Sequence, residues 1–110
     1  MVSFDEFKNI ELRTARITEV LEVPEKDRLY KLSIDLGGEQ RTIVAGLREF
    51  YSAEELKGKT IIVVANLEPA LIAGIKSEAM LLAVKDKEGK YSLIKPRALA
   101  EAGERVVGLE

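Results

Sequence analysis

The sequence contains neither cysteine nor histidine, and this excludes several classes of active site. Without cysteine there is no disulfide framework, no zinc site with thiolate ligands and no thiol nucleophile. Without histidine there is no Ser-His-Asp triad, no imidazole acid or base, and no metal held by histidine. Aromatic residues are also scarce, with three Phe, three Tyr and no Trp in 110 residues. We therefore expect a protein that is not an enzyme and that uses no metal and no cofactor.

Long hydrophobic runs and an excess of one charge are absent as well. Apolar runs such as Ile61 to Ala65 are far shorter than the roughly 18 residues of a membrane span, and the amino terminus lacks the pattern of a signal peptide. We therefore expect a cytoplasmic protein without membrane association. Lys and Arg number 17 against 19 Asp and Glu, so a site for a polyanion has to be a local cluster of cations. The scarcity of Asn and Gln beside abundant Lys and Glu is thermophile-like.

The chain consists of short elements without a linker or an internal repeat, which predicts a single domain over residues 1–110. Two Ser-x-x-Glu capping boxes each predict a short helix. The box at Ser3 predicts a helix over about residues 4–9, and the box at Ser52 predicts a helix that ends at about residue 57. Alternating apolar and polar residues predict half-buried strands, and Gly37-Gly38 predicts a hairpin turn. The predicted strands cover residues 10–23, 29–36, 41–45, 60–65, 79–84, 91–94 and 105–107, with a long loop over residues 67–77.

This pattern predicts an all-β fold with small flanking helices. Short strands with a helix between the third and the fourth are typical of a small Greek-key barrel. Periodicity alone does not choose between an OB barrel and an SH3-like barrel. The strand at 60–65 is apolar on both faces, which predicts burial on both sides, either inside a closed barrel or against another subunit.

Six ordered strings between Phe4 and Leu109 are more specific than the periodicity. They are FKNIELRTARI from Phe7, DRLYKL from Asp27, RTIVAGL from Arg41, YSAEELKGK from Tyr51, NLEP from Asn66 and GIKSEAMLLA from Gly74. Together they resemble the tRNA-binding OB domain family of methionyl-tRNA synthetase. That family includes the C-terminal domain of the synthetase, a free-standing β subunit and a structure-specific tRNA-binding protein. Val23, Ala45 and Ala79 depart from its usual pattern, and Ala79, where relatives have glycine, implies a negative φ.

The resemblance implies a five-stranded Greek-key OB barrel that binds tRNA without catalysing a reaction. It implies recognition of tRNA shape and backbone through a basic groove, by a homodimer that acts alone or with the catalytic subunit of methionyl-tRNA synthetase. One relative is a secretion chaperone, so a chaperone-like homodimer that binds unfolded peptide chains is the alternative. The few aromatic side chains favour recognition of RNA shape and backbone over reading of bases.

The candidate tRNA-binding residues lie on predicted strands and turns where they could line one face. Five are cations whose charge suits phosphate oxygens, namely Arg16, Lys31, Arg41, Lys59 and Lys76. The alternative for each is pairing with a neighbouring acid, which we expect for Arg13 beside Glu11.

Three uncharged residues complete the set. Ser77 offers a hydroxyl to phosphate, ribose or base, or else caps a backbone turn. Met80 offers a polarizable surface to a base, or else enters the core. Asn66 is a candidate contact but is better suited to an Asx-type turn.

A second basic stretch covers residues 85–97, with five cations and two acids. Its simplest interpretation is a solvated hairpin tip that resists edge pairing. Lys95 and Arg97 are nevertheless able to reach RNA.

Overall fold

The computed structural model of the protein describes residues 1–109, which form two short helices and ten short strands. The helices are α1 (Phe4–Lys8) and α2 (Ala53–Leu56). The strands are β1 (Leu12–Glu22), β2 (Tyr30–Asp35), β3 (Gln40–Ala45), β4 (Thr60–Val64), β5 (Ala70–Ile72), β6 (Ile75–Ser77), β7 (Met80–Leu81), β8 (Ala83–Lys85), β9 (Tyr91–Leu93) and β10 (Arg105–Val106). Neither helix in this described part of the chain is long and apolar enough to cross a membrane.

Both helices begin at the predicted capping boxes. Ser3 Oγ accepts a hydrogen bond from the Glu6 amide at 3.1 Å, and Glu6 Oε1 accepts one from the Ser3 amide at 3.2 Å. Ser52 and Glu55 make the same two bonds, at 3.2 and 2.9 Å. Each box satisfies amide groups that have no partner inside the helix. The second helix also buries Leu56 in the core.

Five strands form a curled antiparallel sheet in the order β3-β2-β1-β4-β7, and β10 pairs with the start of β1. Strand β1 is long enough to pair with β4 through its first half and with β2 through its second half. A shift in register between Ile17 and Glu19 lies between these halves, and such a bulge bends a strand. Alternate residues therefore face one interior, where Leu32 is opposite Val20 and Ile43.

The segment at residues 77–78 closes this sheet into a barrel. The Glu78 amide donates to Thr42 O at 2.8 Å, and the Thr42 amide donates to Glu78 Oε1 at 3.1 Å. Strand β7 follows directly and pairs with β4, so that the chain bridges β3 and β4. The result is a small OB-like barrel, which confirms the predicted fold class.

The apolar strand β4 is buried on both faces by its own chain. Ile61 and Val63 point into the barrel, where they join the core. Ile62 and Val64 lie on the opposite face and are also buried. Burial within one subunit therefore explains why both faces of this strand are apolar, and contact with another subunit is not needed to explain it.

The predictions were wrong in one region, between β4 and β9. Residues 67–77 are not a loop, because they contain the hairpin β5–β6, whose turn residues Ala73 and Gly74 have φ values of 50° and 77°. The strand expected at 79–84 is interrupted at Leu82, whose amide bonds to Ile62 O and whose carbonyl accepts from Ile94. The negative φ expected at Ala79 is confirmed, because Ala79 is not among the residues with positive φ.

Candidate nucleic-acid interface

A groove of about 570 Å³ opens beside the segment that closes the barrel. Its lining is mostly apolar and comes from the end of β3, the β5–β6 hairpin, and β7 with its neighbours. The lining includes Val44, Leu47, Leu67, Ile72, Met80 and Tyr91. Met80 is 46% exposed, so its thioether is available to a ligand and is not part of the core.

Two of the predicted cations lie on residues next to the lining of this groove, and we call Lys31 and Lys76 the groove cations. Lys31 is directly opposite Val44, a lining residue, in the β2–β3 register. Lys76 is exposed on β6, next to Ser77, which lines the groove. Because side chains alternate along a strand, Lys76 points to the opposite face of the β5–β6 hairpin. Within residues 1–109 neither lysine forms an ion pair. Their charges are therefore free to meet an anion.

The hydroxyl of Ser77 is used inside the protein. Ser77 is 5% exposed, and its Oγ accepts a hydrogen bond from the Val44 amide at 3.0 Å and donates to Ala79 O at 3.4 Å. The sequence left open whether this hydroxyl contacts RNA or satisfies the backbone, and its bonds give it the second role. Ser77 thereby fixes the position of the neighbouring Lys76 and of the segment that leads to Met80.

Arg41 is engaged in a similar way. Its Nε is 2.7 Å from Glu39 Oε2, and its Nη1 donates to Ala65 O and, at 3.3 Å, to Glu78 O. The side chain is only 20% exposed. The hydrogen bond from Arg41, and then its charge, hold the pKa of Glu39 below its ordinary value. This guanidinium links β3 to the chain that closes the barrel, and an acid neutralises its charge.

Asn66 also makes internal bonds, though not those of a local turn. Its Oδ1 accepts from the Glu11 amide at 2.8 Å, and its Nδ2 donates to Asn9 O at 2.6 Å. The side chain thus ties the end of α1 to the segment that follows the buried strand β4. The expected ion pair between Arg13 and Glu11 is present at 3.4 Å.

Arg16 and Lys59 lie apart from the groove cations, at the start of β4. Arg16 is exposed on β1, opposite Thr60, and Lys59 immediately precedes that residue. Met80 pairs with the last residue of β4, four positions or about 13 Å further along the strand. The structure thus divides the candidates between two locations. In the described residues, no group of three or more acidic side chains is arranged to hold a metal ion.

The apolar side of the groove was not predicted from the sequence. Leu67 and Ile72 line the groove and belong to the segment interpreted as a loop, and Leu67 is 46% exposed. Tyr91 lines the groove and packs edge-on against Phe50, with ring centroids 5.4 Å apart. Since apolar residues on a short hairpin give no strong periodic signal, only the folded chain reveals that they meet.

Comparison with known proteins gives a consistent family assignment. Residues 12–105 match the family described as "Putative tRNA binding domain". The chain is 47% identical over 105 residues to the methionine–tRNA ligase of Pyrococcus furiosus, covering 96% of this chain but only 14% of that ligase.

Solved structures agree with this assignment. The chain resembles a MetRS-related protein from Pyrococcus horikoshii, with a TM-score of 0.91, 33% identity and coverage of 97% and 98% of the two chains. It also resembles the chaperone CsaA of Bacillus anthracis, with a TM-score of 0.88, 29% identity and coverage of 97% and 99%. The chain therefore belongs to the tRNA-binding domain family and is related to the non-catalytic tRNA-binding domain of methionyl-tRNA synthetase.

Proposed function

We propose that residues 1–110 act as one module that binds tRNA by its shape and backbone, through the groove cations Lys31 and Lys76 and the thioether of Met80. The supporting observation is that two ammonium groups without an ion pair in residues 1–109 lie near a groove whose wall exposes a polarizable side chain. Ammonium groups bind phosphates as point charges without reading base sequence. The thioether offers an adaptable surface to an unstacked base.

The proposed partners are tRNA, a second copy of the chain, and the catalytic subunit of methionyl-tRNA synthetase. The chain spans 14% of the length of the ligase from Pyrococcus furiosus, so a catalytic domain would have to come from elsewhere. A homodimer is supported by the apolar groove, because a stable interface needs apolar surface that a monomer leaves exposed. A tRNA ligand also supports a cytoplasmic location.

A binding titration over a range of salt concentrations tests the proposal. The protein is titrated with folded tRNA and, in parallel, with an RNA hairpin of random sequence. We expect preference for the tRNA at low salt, and a fall in affinity with salt of about 0.7 in log-log slope per contacted phosphate. Equal affinity for both RNAs would contradict recognition of tRNA shape.

Two double variants show whether the groove cations are responsible. Lys31→Gln with Lys76→Gln removes both, and we expect the log-log slope to decrease by about 1.4. Lys26→Gln with Lys87→Gln removes two exposed lysines outside the groove and is the matched control. If both variants change the slope equally, only the net charge matters and the proposed site is wrong.

The alternative function is a chaperone-like homodimer that binds unfolded peptide chains. The apolar lining of the groove and the similarity to the chaperone CsaA favour this candidate. It predicts that the protein retains a denatured substrate in solution, and that Leu67→Asp, which places a charge in the groove lining, abolishes this retention. Retention by a protein without affinity for tRNA would select this function over the first.

A further inference from the structure

A second cavity, separate from the groove, lies at the other end of β4. It has a volume of about 500 Å³ and lies between residues 58–60 and residues 95–100. Three of its nine lining residues are the cations Lys59, Lys95 and Arg97, and no acidic residue lines it. Within residues 1–109 none of these cations forms an ion pair.

The backbone on one side of this cavity is firmly held. The Ile17 amide donates to Lys59 O at 2.9 Å, and the Gly58 amide donates to Ile17 O at 2.8 Å. These two bonds attach the start of β4 to β1. Arg16, an exposed cation, is opposite the lining residue Thr60 in the β1–β4 register, so that a fourth cation lies next to the cavity.

The segment on the other side is anchored at both of its ends. The Ile94 amide donates to Leu82 O at 3.3 Å, immediately before Lys95. Beyond Ala100, Thr14 Oγ1 donates to Glu101 O at 2.6 Å. Residues 95–100 therefore span a fixed gap, within which Pro96 restricts the backbone between the two cations. The fold therefore places Lys95 and Arg97 at the same cavity as Lys59.

We propose that this cavity is a phosphate-binding site, in which Lys59, Lys95 and Arg97 hold the oxygens of a phosphate group that belongs to RNA. Like charges repel one another unless an anion lies between them, and phosphate is an anion that both guanidinium and ammonium groups bind. The volume exceeds that of one phosphate ion, and Pro96, Ala98 and Leu99 supply an apolar wall against which an attached sugar or base packs.

The inference that the phosphate belongs to RNA rests on the proposed function. The cavity adjoins the first residue of β4, whereas Met80 pairs with the last, a separation of about 13 Å along the strand. One RNA molecule is therefore able to contact the groove and the cavity through different nucleotides. Free phosphate or a mononucleotide is the other source of the same chemistry, and the experiment distinguishes the two.

The first arm of the experiment uses inorganic phosphate and amide NMR shifts of the full chain. We expect saturable shifts at Gly58, Lys59, Thr60 and Ala98. The variant Lys59→Gln/Lys95→Gln/Arg97→Gln should weaken phosphate binding at least about tenfold, and Arg97→Gln alone provides a test if the triple variant folds poorly. The matched control Lys26→Gln/Lys87→Gln/Lys90→Gln removes the same charge and should retain binding. Shifts that do not saturate, or that both triple variants lose equally, would overturn the proposal.

The second arm measures tRNA affinity against salt for the same proteins. The cavity variant should lower the log-log slope by at least about 0.7 relative to the control variant, which is one phosphate contact. An unchanged slope with intact phosphate binding would exclude RNA as the source and leave the function of the groove unaffected. If the wild-type protein binds no tRNA, the proposed function fails, while the phosphate titration still decides the cavity.

Discussion

Arg41 and Ser77 carry chemical groups suited to RNA, and the fold uses both groups for its own closure. The guanidinium of Arg41 bonds to carbonyl oxygens of residues 65 and 78, and the hydroxyl of Ser77 accepts from a β3 amide. Both groups form their hydrogen bonds where a short segment, and not a fully paired strand, closes the barrel. Side chains there replace ladder hydrogen bonds that the backbone does not supply.

The replacement of Ser77 by alanine should therefore affect stability and not RNA binding. Ser77→Ala leaves the buried Val44 amide without its acceptor, and we expect a loss of about 1–3 kcal/mol in the free energy of unfolding. Urea denaturation measures this loss. Ser92→Ala, on an exposed strand position, is the control and should have little effect. A weaker affinity for tRNA at unchanged stability would show instead that the hydroxyl contacts RNA.

The ion pair of Glu39 with Arg41 predicts a specific dependence on pH. Because the folded state lowers the pKa of Glu39, the ion pair stabilises the fold above the ordinary pKa of 4.5 and this contribution is lost as the pH falls through the lowered value. Glu39→Gln should therefore lose less stability than the wild-type protein when urea denaturation is repeated from about pH 7 to about pH 3. Glu19→Gln controls for the missing charge. Parallel profiles for Glu39→Gln and the wild-type protein would contradict the prediction.

At the scale of elements, strong local signals in the sequence were sufficient to predict a strand where one of its faces is buried. The alternation in β2 and the capping boxes at Ser3 and Ser52 predicted their elements to within one or two residues. The hairpin β5–β6 was missed because its strands have three residues each, too few to show a period of two. Its turn begins with Ala73 where Asn or Gly is usual, so that no turn signal marked it.

That unusual turn gives a prediction about the hairpin. Ala73 has a φ of 50°, a region that costs an alanine about 1–2 kcal/mol. Ala73→Gly removes this cost but increases the freedom of the unfolded chain, and we expect a net gain of about 0.5 kcal/mol in the free energy of unfolding. Thermal and urea denaturation measure it.

The substitution Gly74→Ala makes the opposite change in the same turn. Its φ is 77°, and a Cβ there would meet no atom within 4 Å, so Gly74→Ala tests conformation without a steric clash. We expect a loss of about 1 kcal/mol. If both variants shift stability in the same direction, the positive φ values are not what determines the energy of the turn.

At the scale of the whole molecule, the near-neutral chain has two separate groups of cations without an ion pair in residues 1–109, the groove cations and the three cations of the second cavity. The residue types and the family resemblance indicated which side chains could meet phosphate, and the groove cations and Met80 stand where such contact is open. The sequence did not reveal that the side chains of Arg41, Ser77 and Asn66 are occupied, because most of their hydrogen-bond partners, such as Ala65, Val44 and Asn9, lie 24 to 57 positions away in the sequence. The apolar groove was unpredictable for the same reason, since its walls come from distant segments.

The groove also carries a prediction about the assembly. Because Leu71 is exposed on the hairpin beside it, a second copy that covers this region would bury the side chain. Light scattering after size exclusion should give twice 12.2 kDa for the wild-type protein and the mass of one chain for Leu71→Asp, since a charge in an apolar interface is costly. Leu99→Asp places the same charge on an exposed leucine outside the groove and should remain dimeric. A wild-type protein that is monomeric at concentrations well above those that bind tRNA would exclude the dimer, and a dimeric Leu71→Asp would show that the two copies meet elsewhere.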